Sequence, residues 1–322
     1  MKTPRPTAAA LGLAALIGLG APSLSAVSVN ETVALEGYIG GSYRHLDGDS
    51  DFDSFDLDAA KLLFATDFKP VTGVFSLFYA PNGNELTLLD AVVSYTTETG
   101  TTISGGKFLS WHGYEAFDIA AMNQLTYGNG DFLGAIPGYH SGVRIEQAGD
   151  GWSGGFAVLD SVYTPDYAYL RGDGEIGDNA GFEAYFKYTG TENLTVFVGA
   201  AYDTEGGFQP DDVLMLDLWA DYLATENLLV AGELMFKDAG VAGKGWAWAG
   251  YANYAFQAGW SALFRVSGEY MDDGPSFLRG TIAPTYTLTD NLLVRAELTY
   301  TDYSDYVEDN NTFFGVQSIF KF

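Results

Sequence analysis

A short turn recurs along the second half of the chain at nearly constant spacing, and it limits the fold more than any other feature. Thr191-Glu192-Asn193-Leu194, Thr225-Glu226-Asn227-Leu228 and Thr289-Asp290-Asn291-Leu292 are copies of one element, and Gln257-Ala258-Gly259-Trp260 occupies the same slot. Measured at the Asn or Gly position the spacings are 34, 32 and 32 residues, and Phe322 falls 31 residues after Asn291. A period of this length made of alternating segments is one β-hairpin plus its return turn. Tyr188, Tyr222, Tyr254 and Tyr286 each stand five residues before a slot, as Tyr95 does before Gly100. Nine residues after the slot come Tyr202, Phe236 and Tyr300, while the remaining copy has Tyr270 two positions late. Aromatics thus mark both ends of strands about nine residues long, which at ~3.3 Å rise and ~40° tilt span roughly 20–25 Å.

Between these aromatics the residues alternate. One face reads Leu194, Val196, Val198, Ala200 on one strand and Leu292, Val294, Ala296, Leu298 on another, with no charge among them. A soluble sandwich would alternate in the same way, with its apolar side inward. A membrane wall is favoured by the aromatic bracket at both ends, and by tight turns at one end against long acidic connections at the other. Tight turns near residues 69, 100, 149, 190, 225, 258 and 289, with both chain ends on their side, give sixteen strands. The pattern does not fix the phase of Leu57 to Phe68 or of Thr102 to Phe108, which leaves fourteen as the alternative count. The expected fold class is all-β, a transmembrane antiparallel up-and-down β-barrel of about sixteen strands, forming one domain over residues 27–322. Residues 1–26 read as a secretory signal peptide, with Lys2 and Arg5 ahead of the apolar Ala8 to Leu19 and small residues for cleavage within Ser23 to Ala26.

Charge narrows the function. Fifteen Lys and Arg stand against 42 Asp and Glu, a net charge of −27 that repels polyanions, so no nucleic-acid partner is expected. Cysteine is absent, which excludes disulfides and thiolate metal sites. The polar face of the strands, expected to line a pore, carries Lys61, Arg144, Lys187, Lys237, Arg265, Arg279, Arg295 and Lys321. The same face carries Glu36, Asp90, Glu146, Glu183, Asp217, Asp221, Glu233, Glu269 and Glu297. So many charges inside a barrel require water or partners, and sixteen strands leave room for an aqueous lumen. With this set nearly balanced, the acidic excess lies in the connections. Residues 45–54, 160–180, 203–212, 271–276 and 301–311 hold nineteen carboxylates and one basic residue, Arg171.

One connection differs from the rest. Residues 110–138 carry Trp111, Tyr114, Phe117, Met122 and Leu125 with few charges. Exposed above a membrane such a segment would be costly, so it is expected to fold into the lumen as a constriction loop, the alternative being a cap packed on neighbouring loops. Asp47, Asp49 and Asp51 have the spacing of the first ligands of a calcium loop, yet Phe52 replaces the required Gly and Asp58 the closing Glu. They amount at most to a weak surface Ca2+ or Mg2+ site, and no other cofactor is expected. Gly172-Asp173-Gly174-Glu175-Ile176-Gly177 matches a dinucleotide fingerprint by letter, but it lacks the flanking strand and helix and is set aside. Of three histidines, His140 adjoins Ser141 on a strand, so the two point to opposite faces, and no catalytic triad is marked.

Gly106-Lys107-Phe108, followed by His112-Gly113-Tyr114-Glu115 and by Tyr139-His140-Ser141-Gly142-Val143, resembles the putative β-barrel porin-2 family of Gram-negative outer membranes. The resemblance is clearest over residues 55–146, and the aromatic ending Phe320-Lys321-Phe322 resembles the assembly signal of outer-membrane proteins. It implies a porin-like barrel in the outer membrane, in contact with its lipid, with no substrate assigned and room for a homo-oligomer. The expected function is passive diffusion of small hydrophilic solutes or ions, modestly cation-preferring, without enzymatic activity. The alternative is a non-conducting structural or interaction barrel whose acidic loops bind divalent cations.

Overall fold

The computed structural model describes residues 27–48, 51–80, 85–163, 180–205, 211–257, 259–304 and 310–322. The segment read as a signal peptide, residues 1–26, lies outside them. Seventeen strands are present: β1 (Val27–Ser28), β2 (Val33–Asp47), β3 (Phe52–Phe68), β4 (Val71–Ala80), β5 (Glu85–Thr96), β6 (Thr102–Leu109), β7 (Tyr139–Gly149), β8 (Trp152–Leu159) and β9 (Gly181–Thr191). They continue as β10 (Leu194–Asp203), β11 (Val213–Thr225), β12 (Leu228–Asp238), β13 (Lys244–Ala255), β14 (Trp260–Met271), β15 (Ser276–Thr289), β16 (Leu292–Ser304) and β17 (Asn311–Lys321). Each of β2 to β17 pairs antiparallel with its sequence neighbours, and β17 returns to β2, so sixteen strands close on themselves. Closure leaves no open edge, the condition for strands to cross a lipid layer. Among the described residues no helix is long and apolar enough to do so.

The seven turns fall where the sequence puts them, three of them beside a register shift, at Leu194/Val196, Leu223/Thr225 and Thr287/Thr289. Asn193 takes a left-handed φ of 64°, and Gly259 and Gly100 take 82° and 83°, which explains why Asn or Gly fills these slots. In the copies at Asn227 and Asn291 the hydroxyls of Thr225 and Thr289 accept the Asn N–H, each at 3.3 Å. Outward from the wall stand the aromatics that bracket the apolar band, Tyr188, Tyr222, Tyr254 and Tyr286 at the turn end and Tyr202, Tyr270 and Tyr300 at the other. Between them Val198, Leu216, Leu218, Phe264, Val266 and Leu298 are exposed, as a lipid-facing surface requires.

The wall strands β2 to β17 run from 8 to 17 residues rather than a uniform nine, mainly because β2 and β3 extend past the apolar band as one long hairpin. A bulge accounts for the phase that the sequence pattern leaves unsettled over Leu57 to Phe68, and a second bulge falls between β4 and β5, while β6, over Thr102 to Phe108, keeps its register with both neighbours. Opposite Gly40 and Gly41, Asp58 and Ala59 both turn inward, and between Phe75 and Leu77 the partner strand carries Leu89 and Asp90 inward together. Beyond these bulges the inside and outside faces resume their alternation. The small β1 pairs only with Leu35 and Ala34 of β2, beyond the point where β17 ends against Tyr38.

Closure is finished by the last residue. Phe322 donates its N–H to Gly37 at 3.0 Å and accepts that of Gly37 at 2.9 Å, and a Cβ on Gly37 would lie 2.6 Å from the Phe322 ring. The ring therefore lies over bare backbone, beside Phe320 with centroids 6.0 Å apart. Phe322→Asp should lower the yield of folded barrel several-fold, since an acidic group near the lipid interface costs up to about 1 kcal/mol and the ring contacts are lost as well. Heat-modifiable mobility on a gel measures the folded fraction, and a parental yield would contradict this register.

Candidate constriction site

Residues 110–138 leave the end of β6, enter the lumen and return to β7. The segment has no ladder of its own, so its peptide groups need partners inside the barrel. Its apolar side chains supply the anchoring. Among the described residues all four buried apolar clusters join wall to loop: Ala120 with Tyr38, Leu89 and Ile319; Trp111 with Phe108 and Met215; Leu133 and Ala135 with Met235; and Tyr114 with Tyr251 and Leu263. Of the constriction candidates, Trp111, Tyr114 and Phe117 pack on the inner wall, and Met122 is buried. Leu125 reaches it as well, its side chain next to Gly315.

Wall charges complete the attachment. Carboxylates accept the loop's donors in sequence around the barrel: Glu183 takes the Ser110 hydroxyl at 2.6 Å, Asp217 the Gly113 N–H at 3.0 Å and Glu233 the Tyr114 N–H at 2.6 Å. Glu269 accepts the N–H groups of Gly130, Phe132 and Leu133, and Glu297 those of Leu125 and Thr126. Cations meet the loop's carbonyls. Arg295 donates to Gln124 at 2.8 Å and to Met122, Lys321 to Ala120 at 3.0 Å and Lys237 to Gly134 at 2.8 Å. Arg265 grips the Thr126 carbonyl at 2.6 Å and the Glu115 carboxylate at 2.7 Å, and Arg279 binds the Tyr127 carbonyl and Asp131. Lys61 lies 3.0 Å from Asp118, which also accepts the Tyr38 hydroxyl.

All seventeen charged positions expected on the polar face sit on the inner side of the wall. Eleven of them, Lys61, Glu183, Asp217, Glu233, Lys237, Arg265, Glu269, Arg279, Arg295, Glu297 and Lys321, bind the loop. Of the water or partners that these charges require, the structure shows partners, which are peptide groups and side chains of the loop. The other six stand apart from that ladder. Asp90 pairs with Lys61 at 3.2 Å, Glu146 with Arg144 at 3.3 Å, and the Arg144 guanidinium lies over the Trp111 ring. Glu36, Lys187 and Asp221 lie towards the turn end. The sequence reading missed the loop's own Glu115, Asp118 and Asp131, and missed Asp58, which the bulge turns inward to accept from Gln317 at 2.7 Å. The signal for Glu115 was present in His112-Gly113-Tyr114-Glu115, where it had been read as part of a motif alone.

His112 and His140 are buried, 3.6 Å from Asp217 and Glu183 respectively. Ser110 is close by, but its hydroxyl is given to Glu183, so the carboxylate stands where a general base would need the imidazole. Of the acidic trio at 47–51, Asp49 lies outside the described residues, and Asp51 accepts the Gly48 N–H at 2.8 Å. Among the described residues no cluster of three or more His, Asp or Glu is placed to hold a metal ion. The Gly172 to Gly177 segment also lies outside them.

Two cavities flank the loop. One of about 290 Å³, towards the turn end, is lined by Tyr114, Trp219, Tyr251, Asp221 and Asn253 among others. The other, of about 310 Å³, opens at the opposite end between Tyr127, Asp131, Arg279 and Asn311.

A family model described as "putative beta-barrel porin-2, OmpL-like" matches residues 60–322. Among solved structures the barrel is similar to the anion-selective porin from Comamonas acidovorans, with TM-score 0.71 and 14% identity over 90% of this chain and 99% of that one. It is similar to Pseudomonas putida OprB, with TM-score 0.72 and 12% identity over 90% and 94% of the two chains. A third likeness is the trimer form of OmpT, an outer-membrane protein of Vibrio cholerae, with TM-score 0.64 and 14% identity over 90% and 99%. At these identities what is shared is the fold. No curated protein matches in sequence.

Glu269 is the test of how the loop is held. Glu269→Ala removes three acceptors at once, and hydrogen bonds to a charged group contribute about 1.5–3 kcal/mol each. Amide hydrogen exchange over residues 128–134 should then quicken by at least about tenfold while the wall strands keep their protection. Unchanged exchange in the loop would show that the apolar clusters alone seat it.

Proposed function

The chain belongs to the putative β-barrel porin-2 family, and from that membership we propose a passive diffusion channel for small hydrophilic solutes and ions, modestly cation-preferring, in a Gram-negative outer membrane. The observation that carries the reading is the tethered loop. A sixteen-strand wall encloses more space than its own side chains fill, and here that space is partitioned by one inward segment with a cavity on either side.

Cation preference is supported by what the loop brings with it. Residues 110–138 add Glu115, Asp118 and Asp131 to the lumen and neither Lys nor Arg, so a wall set close to neutral becomes acidic in sum where the loop crosses it. The carboxylate-rich connections of the long-loop end add to the same sign, and acidic rings at a low-dielectric mouth concentrate cations. Self-association into a homo-oligomer belongs to the same proposal, in keeping with the trimer form of the similar Vibrio cholerae protein.

Recording from the purified barrel in a planar bilayer tests both parts. Steps of ion current are expected, with a reversal potential of cation-selective sign across a low-salt KCl gradient. The sign should fade towards 1 M, because screening confines such fields to about 10 Å at 0.1 M. A folded barrel that carries no current would remove the channel reading, and an anion-selective sign would assign control instead to Arg144, Lys187 and Arg44, the last of which stands on β2 paired with the inward Asp58.

A further inference from the structure

We propose that the cavity on the turn side of the loop is a binding site for a neutral saccharide ring, a specific station on the diffusion path. The inference rests on the channel reading only for the route by which such a ligand arrives; the site itself is argued from its walls.

Five aromatic rings run in unbroken contact along the inner wall to this cavity. Tyr185 of β9 stacks on Phe197 of β10 at 5.7 Å and 10°, and Phe197 stacks on Trp219 of β11 at 5.1 Å and 4°. Trp219 meets Tyr114 of the loop at 5.4 Å, and Tyr114 meets Tyr251 of β13 at 5.0 Å. This aromatic strip, its parallel pairs stacked face to face, holds Trp219 in place behind the cavity, and Tyr114, Leu223, Leu229 and Leu263 give the lining an apolar side that suits the C–H face of a sugar ring.

The cavity also holds donors that nothing among the described residues answers. Trp219 and Tyr251 both line it and are 3% and 8% exposed, yet the indole N–H and the phenol hydroxyl have no hydrogen-bond partner. Buried donors in a well-satisfied protein are paired, so two such groups beside one cavity ask for a ligand with acceptor oxygens. Asp221 and Gln124 on the same lining provide acceptors for hydroxyl protons. A volume of about 290 Å³ lies at the lower end of small-ligand sites, which run roughly 300–1,000 Å³.

The charges of the lining decide between ligand classes. An anion would face Asp221 and Glu115. An ammonium would be drawn to them but offers no acceptor to Trp219 or Tyr251. A sugar both accepts and donates through each hydroxyl, and its C–H groups suit the apolar side of the lining.

The test is titration of the folded, full barrel in detergent with glucose and maltose, and with choline chloride and sodium acetate, followed by calorimetry and tryptophan fluorescence. A saccharide should bind with millimolar affinity and shift the fluorescence, with choline and acetate binding at least tenfold more weakly. Tyr251→Phe keeps the ring and the packing and removes only the hydroxyl, and Trp219→Phe removes the indole donor together with one of the two fused rings. Each should weaken saccharide binding about tenfold, and with Tyr251→Phe the thermal transition should stay at the parental temperature. Binding of neither sugar, tighter binding of choline than of sugar, or affinities untouched by both variants would overturn the site. Bilayer current that persists alongside any of these outcomes would leave the channel reading standing, and saccharide binding without current would do the reverse.

Discussion

The structure depends on finding partners for the peptide groups of one irregular segment inside a barrel. Residues 110–138 cross the lumen packed against the inner wall, and a peptide group buried there without a partner is costly. The wall meets the demand with ionised side chains, carboxylates to the loop's N–H groups and cations to its carbonyls. Charge-assisted bonds of this kind are stronger than neutral ones, and they are directional, so they fix the path of the loop as well as its presence. The apolar clusters then need only fill the space between loop and wall, and each of the four does so.

The sequence foretold the wall better than the loop's attachments. Turn slots, girdle tyrosines and the alternation between them are local signals, readable over a few residues, and they place the seven turns and the sixteen strands. The same alternation failed near Asp58, because a bulge puts two consecutive residues on one face and breaks the period of two on which the reading rested. Apolar composition marked 110–138 as a segment seeking burial. Nothing local linked Leu125 to Glu297 or Ala120 to Lys321, contacts that bridge 172 and 201 residues. The charges were found; their partners were not, since a single sequence records which residues face inward but not what fills the interior.

Function follows from how these charges are distributed between two tasks. Those deep on β9 to β17 are committed to holding the loop, leaving Arg44, Arg144, Lys187 and several carboxylates to act on whatever passes. Similar barrels with 12–14% identity share the wall, so differences in what they pass must arise from residues hung on it. In this chain the aromatic strip from Tyr185 to Tyr251 is such a set.

The order of the anchors along the chain also carries a consequence for assembly. Ser110 to Gly138 is made before every one of its partners on β9 to β17, the nearest 73 residues away and the farthest 201. Contacts of that separation form late, after the loops between them have closed. The wall must therefore be complete, down to the pairing of Phe322 with Gly37, before the last donor of the segment can be seated. The barrel is first a wide ring and only afterwards a narrow one, and whatever machinery inserts it handles an intermediate with its interior still unfilled.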